Sequence, residues 1–178
     1  MRPFAACDID FLDELHGDPL VMRYILGRVR THDENMAYLD RLLDGQKDHG
    51  IGQRLVICKE DNRPVGRCGM SFFYGLRTGD IMSYELDPKA FPAGAEVTRV
   101  TELGYTFLHR EWGKGYASEA AAAMRDYGLN IQKFPELHSI IMRENTGSLA
   151  VAEKIGAKLH DDCFCLGRPA RDYVSKLT

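Results

Sequence analysis

The residues best suited to chemistry lie in one run, Thr101-Glu102-Leu103-Gly104-Tyr105-Thr106-Phe107-Leu108-His109-Arg110-Glu111-Trp112-Gly113-Lys114-Gly115-Tyr116-Ala117. A strand-like stretch runs into a loop with two glycines and a lysine, then directly into a helical stretch. Gly113 and Gly115 can take positive φ and expose their amides. The helix start behind them adds unpaired N–H groups and a partial positive charge. Together they make an anion cradle suited to a phosphate or pyrophosphate. An ordinary strand-to-helix turn stays open as the alternative on this segment alone. Two phosphate motifs are excluded. A P-loop needs Ser or Thr after its lysine, and Lys114 is followed by Gly115. The dinucleotide fingerprint needs a third glycine where Ser118 stands.

A second segment is Arg143-Glu144-Asn145-Thr146-Gly147-Ser148, leading into Leu149-Ala150-Val151-Ala152-Glu153-Lys154-Ile155-Gly156-Ala157. Asn145 sits in a turn and a helix starts near Ser148. By itself this reads as structure, since Asn and Ser are common turn and cap residues.

The elements that must hold these segments form a mixed α/β pattern. Asp8 is expected to cap a helix carrying Phe11, Leu12 and Leu15. Asp18-Pro19 opens a turn that Gly27 ends. Thr31 with Glu34 is a capping box for a helix through Met36, Leu39, Leu42 and Leu43, stopped at Gly45 or Gly50. Residues 54–59 and 65–74 read as a hairpin around residues 60–64. Residues 75–99, with Gly79, Pro88, Pro92 and Gly94, show a poor pattern and are expected to be a long functional loop. Residues 100–108 read as a strand. Ala117, Ala120, Ala121, Met124, Tyr127, Gly128 and Ile131 define one apolar helix face. Residues 137–142 are a short buried strand, and residues 148–155 a helix ended by Gly156. A last hairpin turns at residues 167–169. The order is α-α-β-β-β-α-β-α-β-β.

The 178 residues suffice for one domain, residues 1–178, and not for two full catalytic domains. The chain carries 23 basic and 26 acidic residues, net -3. Nothing in that balance favours nucleic acid or an anionic membrane. The longest apolar run is far short of a membrane span, and the first ten residues lack the apolar core of a signal peptide. The five cysteines follow no metal-ligand spacing, so reduced thiols in a cytoplasmic protein and no metal are expected.

Taken together, the two segments resemble the GNAT superfamily of N-acetyltransferases, most closely the Rim-type branch that includes ribosomal-protein N-terminal acetyltransferases. The superfamily's acetyl-CoA loop, Q/R-x-x-G-x-G/A, falls on Trp112-Gly113-Lys114-Gly115-Tyr116-Ala117, with Trp112 at the first position as is usual in this branch. Glu102-Leu103-Gly104-Tyr105, Ala117-Ser118-Glu119-Ala120, Asn145 with Ser148, Glu153-Lys154-Ile155-Gly156 and Asp18-Pro19-Leu20-Val21-Met22-Arg23-Tyr24 also match the branch. Three features depart from it. The first strand is nearly missing, Ala157 replaces a common Phe, and residues 75–99 form an unusually long segment where such enzymes receive the acceptor.

The resemblance implies a single-domain GNAT fold: a mixed, mostly antiparallel sheet flanked by helices, with splayed central strands forming an acetyl-CoA cleft. The cofactor would lie between the strand at residues 105–108 and the strand at residues 137–142. Its pantetheine arm would pair with main-chain groups of Tyr105 and Phe107. Its pyrophosphate would take the amides of Gly113, Lys114, Gly115, Tyr116 and Ala117, and Asn145 would bond or position the pantetheine. A main-chain N–H near Phe107 would stabilise the oxyanion.

Acetyl transfer to an amine needs a neutral nucleophile, so a base must take a proton. Glu102, on the same side of its strand as Gly104 and Thr106, is expected to do so, with Glu85, Glu96 and His109 as competitors. The superfamily's acidic Tyr aligns with Ala152 and is absent; the resemblance to the Rim-type branch implies the Ser after the Asn as the acid, here Ser148, with a helix cap as its other reading. The acceptor would be a peptide or protein α-amine or a small amine. Whether the chain is a monomer or a homodimer stays open. Two rivals remain: an acyl-CoA-binding module without catalysis, and a nucleotide-binding protein using the same loop.

Overall fold

A computed structural model of the chain describes residues 1–48 and 51–177. They divide into two compact units, Met1–Gly69 with Tyr105–Ala121, and Met70–Gly104 with Ala122–Thr178. The strands are β1 (Gln53–Ile57), β2 (Pro64–Thr78), β3 (Ile81–Glu85), β4 (Thr98–Phe107), β5 (Glu136–Met142), β6 (Lys158–Cys165) and β7 (Arg168–Lys176). Among the described residues they pair in the order β1-β2-β3-β6-β7-β5-β4, with β2 also paired to β4. Of the ladders whose register is described, β1–β2, β2–β3, β5–β7 and β6–β7 are antiparallel, and β3–β6 and β4–β5 are parallel. This is the mixed sheet with flanking helices that the resemblance implies.

In the first unit, α1 (Ile9–Gly17), α2 (Pro19–Met22) and α3 (His32–Asp48) surround an apolar cluster. Leu12, Leu15 and Leu55 are fully buried in it beside Phe11, Leu39 and Leu108. Each such side chain contributes about 2 kcal/mol on leaving water. Asp18 Oδ1 accepts the Leu20 amide at 2.8 Å, with Pro19 in the first helical position. Thr31 Oγ1 accepts the Glu34 amide at 3.2 Å and Glu34 Oε2 accepts the Thr31 amide at 3.0 Å, closing the capping box.

One expectation fails here. Asp8 does not cap α1. Its carboxylate takes both Arg2 guanidinium nitrogens at 2.6 and 2.7 Å and the Ala5 amide at 2.8 Å. A bidentate charged pair is stronger than a neutral cap bond. The Asp18-Pro19 helix is only one turn long, ending at Met22, and Gly27 closes the following turn at φ +73°. Gly45 does not stop α3, which runs on to Asp48; an internal glycine costs only about 1 kcal/mol. Gly50 lies outside the described residues. The strand expected to be nearly missing at the amino end is one bridge, Arg2 to Leu55.

In the second unit, β5 and β7 pair over seven register positions and β7 continues into the β6 hairpin. Residues 75–99 are not one long loop. β2 continues to Thr78, Gly79 at φ +60° and Asp80 make a two-residue turn, and β3 returns to pair with β2 and with β6. A glycine followed by Asp is a hairpin signal. It was obscured because the flanking positions are half-exposed and do not alternate. Helix α4 (Tyr116–Asp126) also departs from its expected face. It passes into a π-helical turn, Tyr127–Ile131, whose wider turn shifts the register. Leu129 is buried in consequence and Ile131 is exposed. Gly128 lets Leu137 and Met70 pack close; a Cβ there would stand 2.8 Å from Leu137 Cδ1 and Met70 Sδ, and those side-chain ends would have to shift.

A buried polar network crosses this unit. Tyr84 OH donates to Asp172 Oδ2 at 2.8 Å, His138 Nδ1 lies 2.9 Å from the same oxygen, and His138 Nε2 lies 3.2 Å from Glu136 Oε1. Burial alone would lower the His138 pKa, but the Asp172 bond and charge, with Glu136, outweigh it and the net shift is upward. A raised folded pKa gives stability that is fully present below the ordinary histidine value and is lost as pH rises through the folded value. Asp172→Asn is therefore expected to cost about 3 kcal/mol at pH 5.5. The difference from wild type in urea unfolding should shrink by pH 9; an equal gap at both pH values would refute the pairing.

All five cysteines are free, and only Cys7 is exposed. Burial pushes the Cys163 and Cys165 thiols up to about 12, which makes them inert. Among the described residues no helix is long and apolar enough to cross a membrane.

Candidate active site

Leu108 N–H donates to Val65 O at 3.0 Å, which turns the Leu108 backbone toward β2. Alternation along a strand then gives Thr106 the same direction and turns the N–H and C=O of Tyr105 and Phe107 to the opposite edge. The Phe107 ring packs against β2 at Gly66, where a Cβ would meet Phe107 Cδ1 at 2.3 Å.

The chain then makes a 3-10 turn, His109–Glu111, and reaches Gly113 at φ +76° and Gly115 at φ +90°. Nothing lies within 4 Å of a Cβ built on either. The backbone angle, and not crowding, calls for glycine at both positions. Helix α4 begins at Tyr116, and its first bond runs from Glu119 N–H to Gly115 O at 3.1 Å. The amides just before Glu119 precede that first helical bond and have no partner within the helix. The loop and helix start therefore present adjacent main-chain donors at the positive end of a helix dipole. That is a group suited to a pyrophosphate.

The side chains of this loop are spent on the protein. Trp112 Nε1 donates to Phe107 O at 2.9 Å, and His109, itself exposed, stacks edge-on against the indole at 4.7 Å. Tyr116 OH lies 3.3 Å from Cys58 Sγ, a contact that pushes the phenol up to about 12. Lys114 Nζ reaches Glu111 Oε2 at 3.2 Å. Glu111, nearly inaccessible, also takes Arg63 through Nη1 at 2.5 Å and Nη2 at 3.2 Å. The Arg63 bond holds the Glu111 carboxyl below its ordinary pKa. Glu111 and Arg63 were missed by sequence reasoning. The available signal was an acid three residues before Lys114, and Arg63 is too far along the chain to be paired with it by spacing.

In the second unit, Glu102 is half-buried on β4 and in register with His138 of β5. Ser71 Oγ donates to Glu102 Oε2 at 2.8 Å. Both carboxylate oxygens lie over Gly104, where a Cβ would stand 2.8 and 2.9 Å from them. Glu102 is thus held in one orientation by a hydroxyl and by the missing side chain two residues on. The β4–β5 ladder is described at one register pair, Glu102 with His138, and Ser139 Oγ of β5 donates to Leu103 O at 3.2 Å. Helix α5 (Thr146–Lys154) is capped by Asn145, whose Oδ1 accepts the Ser148 amide at 3.2 Å. The helix starts two residues earlier than the sequence suggests, so Ser148 is its third residue and not its cap. Ala152, at the position aligned with the superfamily's Tyr, is fully buried. Glu85 is half-buried at the end of β3, and Glu96 is exposed.

A glycine loop and a helix start presenting main-chain amides are the parts of this chain suited to phosphate oxygens. The family model described as acetyltransferase (GNAT) domain matches residues 1–158. The chain belongs to the GNAT acetyltransferase family, and it is an acyltransferase. A protein of Bacillus subtilis (strain 168) named YkkB is 31% identical over 142 residues, 80% of this chain and 70% of that one. An acetyltransferase from Agrobacterium tumefaciens str. C58 superposes with a TM-score of 0.74 at 23% identity, over 99% of this chain and 89% of that one. A spermidine N-acetyltransferase from Vibrio cholerae, solved with CoA and spermine, gives a TM-score of 0.68 at 16% identity, over 98% and 93%. These likenesses to solved structures concern the fold.

Proposed function

We propose that the chain transfers the acetyl group of acetyl-CoA to a primary amine by direct attack in a ternary complex. The amine is a peptide or protein α-amine or that of a small molecule. The observation that carries this reading is the loop at residues 113–117, whose backbone angles and helix start present main-chain donors while its polar side chains bind back to the protein. Those amides hold the pyrophosphate, and the outward N–H and C=O of Tyr105 and Phe107 pair with the pantetheine arm. Trp112 occupies one lone pair of the Phe107 carbonyl and fixes that edge. Asn145 spends its oxygen on the cap, so its NH2 is the group that can reach the pantetheine.

Glu102 takes the proton of the incoming amine. The neutral nitrogen attacks the thioester carbonyl, the N–C bond forms, and the C–S bond then breaks. Ser148 gives a proton to the departing sulfur and is reprotonated by the second proton that the nitrogen loses as the amide forms. The test is thiol release from acetyl-CoA with a panel of amines, together with mass detection of the acetylated product. Binding of acetyl-CoA without thiol release for any amine would identify a binding module instead.

Ser148→Ala is expected to lower kcat roughly 10²-fold, the scale of a positioned acid, with KM for acetyl-CoA little changed. Because Asn145 supplies the cap, thermal stability should hold. Loss of stability with unchanged kcat would assign Ser148 to structure.

A further inference from the structure

One cluster of charge in the first unit has no part in the proposed chemistry. Arg30 stands just before α3, Tyr38 and Arg41 are three residues apart on α3 and so share a face, and Arg67 lies on β2. The guanidinium carbons of Arg30, Arg67 and Arg41 lie 4.8, 5.6 and 5.8 Å from the centre of the Tyr38 ring. The His16 ring meets the same phenol edge-on at 5.3 Å.

Among the described residues neither Arg30 nor Arg67 has a carboxylate partner, and the Nε of each is buried without a hydrogen bond. Arg67 Nη1 is bonded to a neutral oxygen, Gln53 Oε1, at 3.0 Å. Glu34, whose field reaches Arg30, has its two oxygens on Arg28 at 2.6 and 2.8 Å and also accepts the Thr31 amide. Burial, then the charge of Arg67, pushes His16 down to about 3, so it is neutral and bonded to Asn35 at 2.7 Å. Guanidiniums that converge on one ring repel one another, and the attraction of a phenol face offsets only part of that. Their planar forks match the oxygens of a phosphate or carboxylate two at a time.

We infer that Arg30, Arg41 and Arg67 form a binding site for a small oxyanion, a phosphate or carboxylate group, beside the Tyr38 ring. The site is separate from the amide loop at residues 113–117 and does not depend on acetyl transfer. It gives the protein a way to recognise an anionic ligand through side chains, where the loop uses main-chain amides.

Calorimetric titration of the protein with inorganic phosphate and, separately, with succinate tests this, with ionic strength held constant by chloride. Saturable binding of at least one anion is expected; which of them binds tells a phosphate group from a carboxylate. Arg30→Gln, Arg67→Gln and Arg41→Gln should each weaken it about tenfold or more, as the loss of a charged hydrogen bond does. Circular dichroism checks the fold of each variant. Arg41 is exposed, so its variant tests the site with the least disturbance to packing. Gly115→Asp separates the amide loop from this cluster and should keep the arginine-dependent binding. Absence of saturable binding by either anion overturns the inference. So does binding that disappears in Gly115→Asp and survives in all three arginine variants.

Discussion

Gly115→Asp is expected to weaken acetyl-CoA binding at least about 100-fold, or about 2.7 kcal/mol, while leaving the fold intact. At φ +90° an Asp is strained, but Asp enters the left-handed region more readily than most residues, and the cost is about 1 kcal/mol. No heavy atom lies within 4 Å of the new Cβ, so packing is not disturbed. What changes is the electrostatics: a carboxylate would stand beside amides that otherwise donate to phosphate oxygens. Gly115→Ala separates the two effects, since it carries the same backbone strain without the charge. Calorimetry should show a modest loss for Ala and a severe one for Asp. Unchanged affinity in the Asp variant would remove the loop from the cofactor site.

Glu102→Gln is expected to lower kcat/KM at pH 7 by roughly 10²-fold or more, the scale of a lost general base. Much of the loss should return as pH rises, because the acceptor amine then sheds its own proton. Glutamine keeps the shape over Gly104 and can still accept from Ser71, so the variant isolates basicity from packing. A profile parallel to wild type would leave Glu102 with a binding or structural role. Attention would then pass to Glu85, the half-buried acid on β3, ahead of exposed Glu96.

The amino-acid sequence was enough to locate the features whose causes are local. The positive-φ glycines at 113 and 115, the capping box of Thr31 and Glu34, and Pro19 behind Asp18 all depend on residues within a few positions of one another. The loop and the helix behind it followed from causes of this kind, and the family resemblance from the motif runs around residues 102–120 and 145–156. The tertiary structure decided where long-range partners compete with local preference. Asp8 leaves the helix it could cap for Arg2. Glu111 becomes the anchor of the loop because Arg63, 48 positions away, arrives beside it. Residues 81–85 become a strand because β6 pairs with them across the chain. The convergence of Arg30, Arg41 and Arg67 on Tyr38 is of the same kind. A helix face supplies one pair, and only the approach of β2 brings the third charge. Hydrophobic periodicity constrains which face is buried, but it does not specify which charged side chains meet across that face, since their positions depend on the packing of elements distant in sequence.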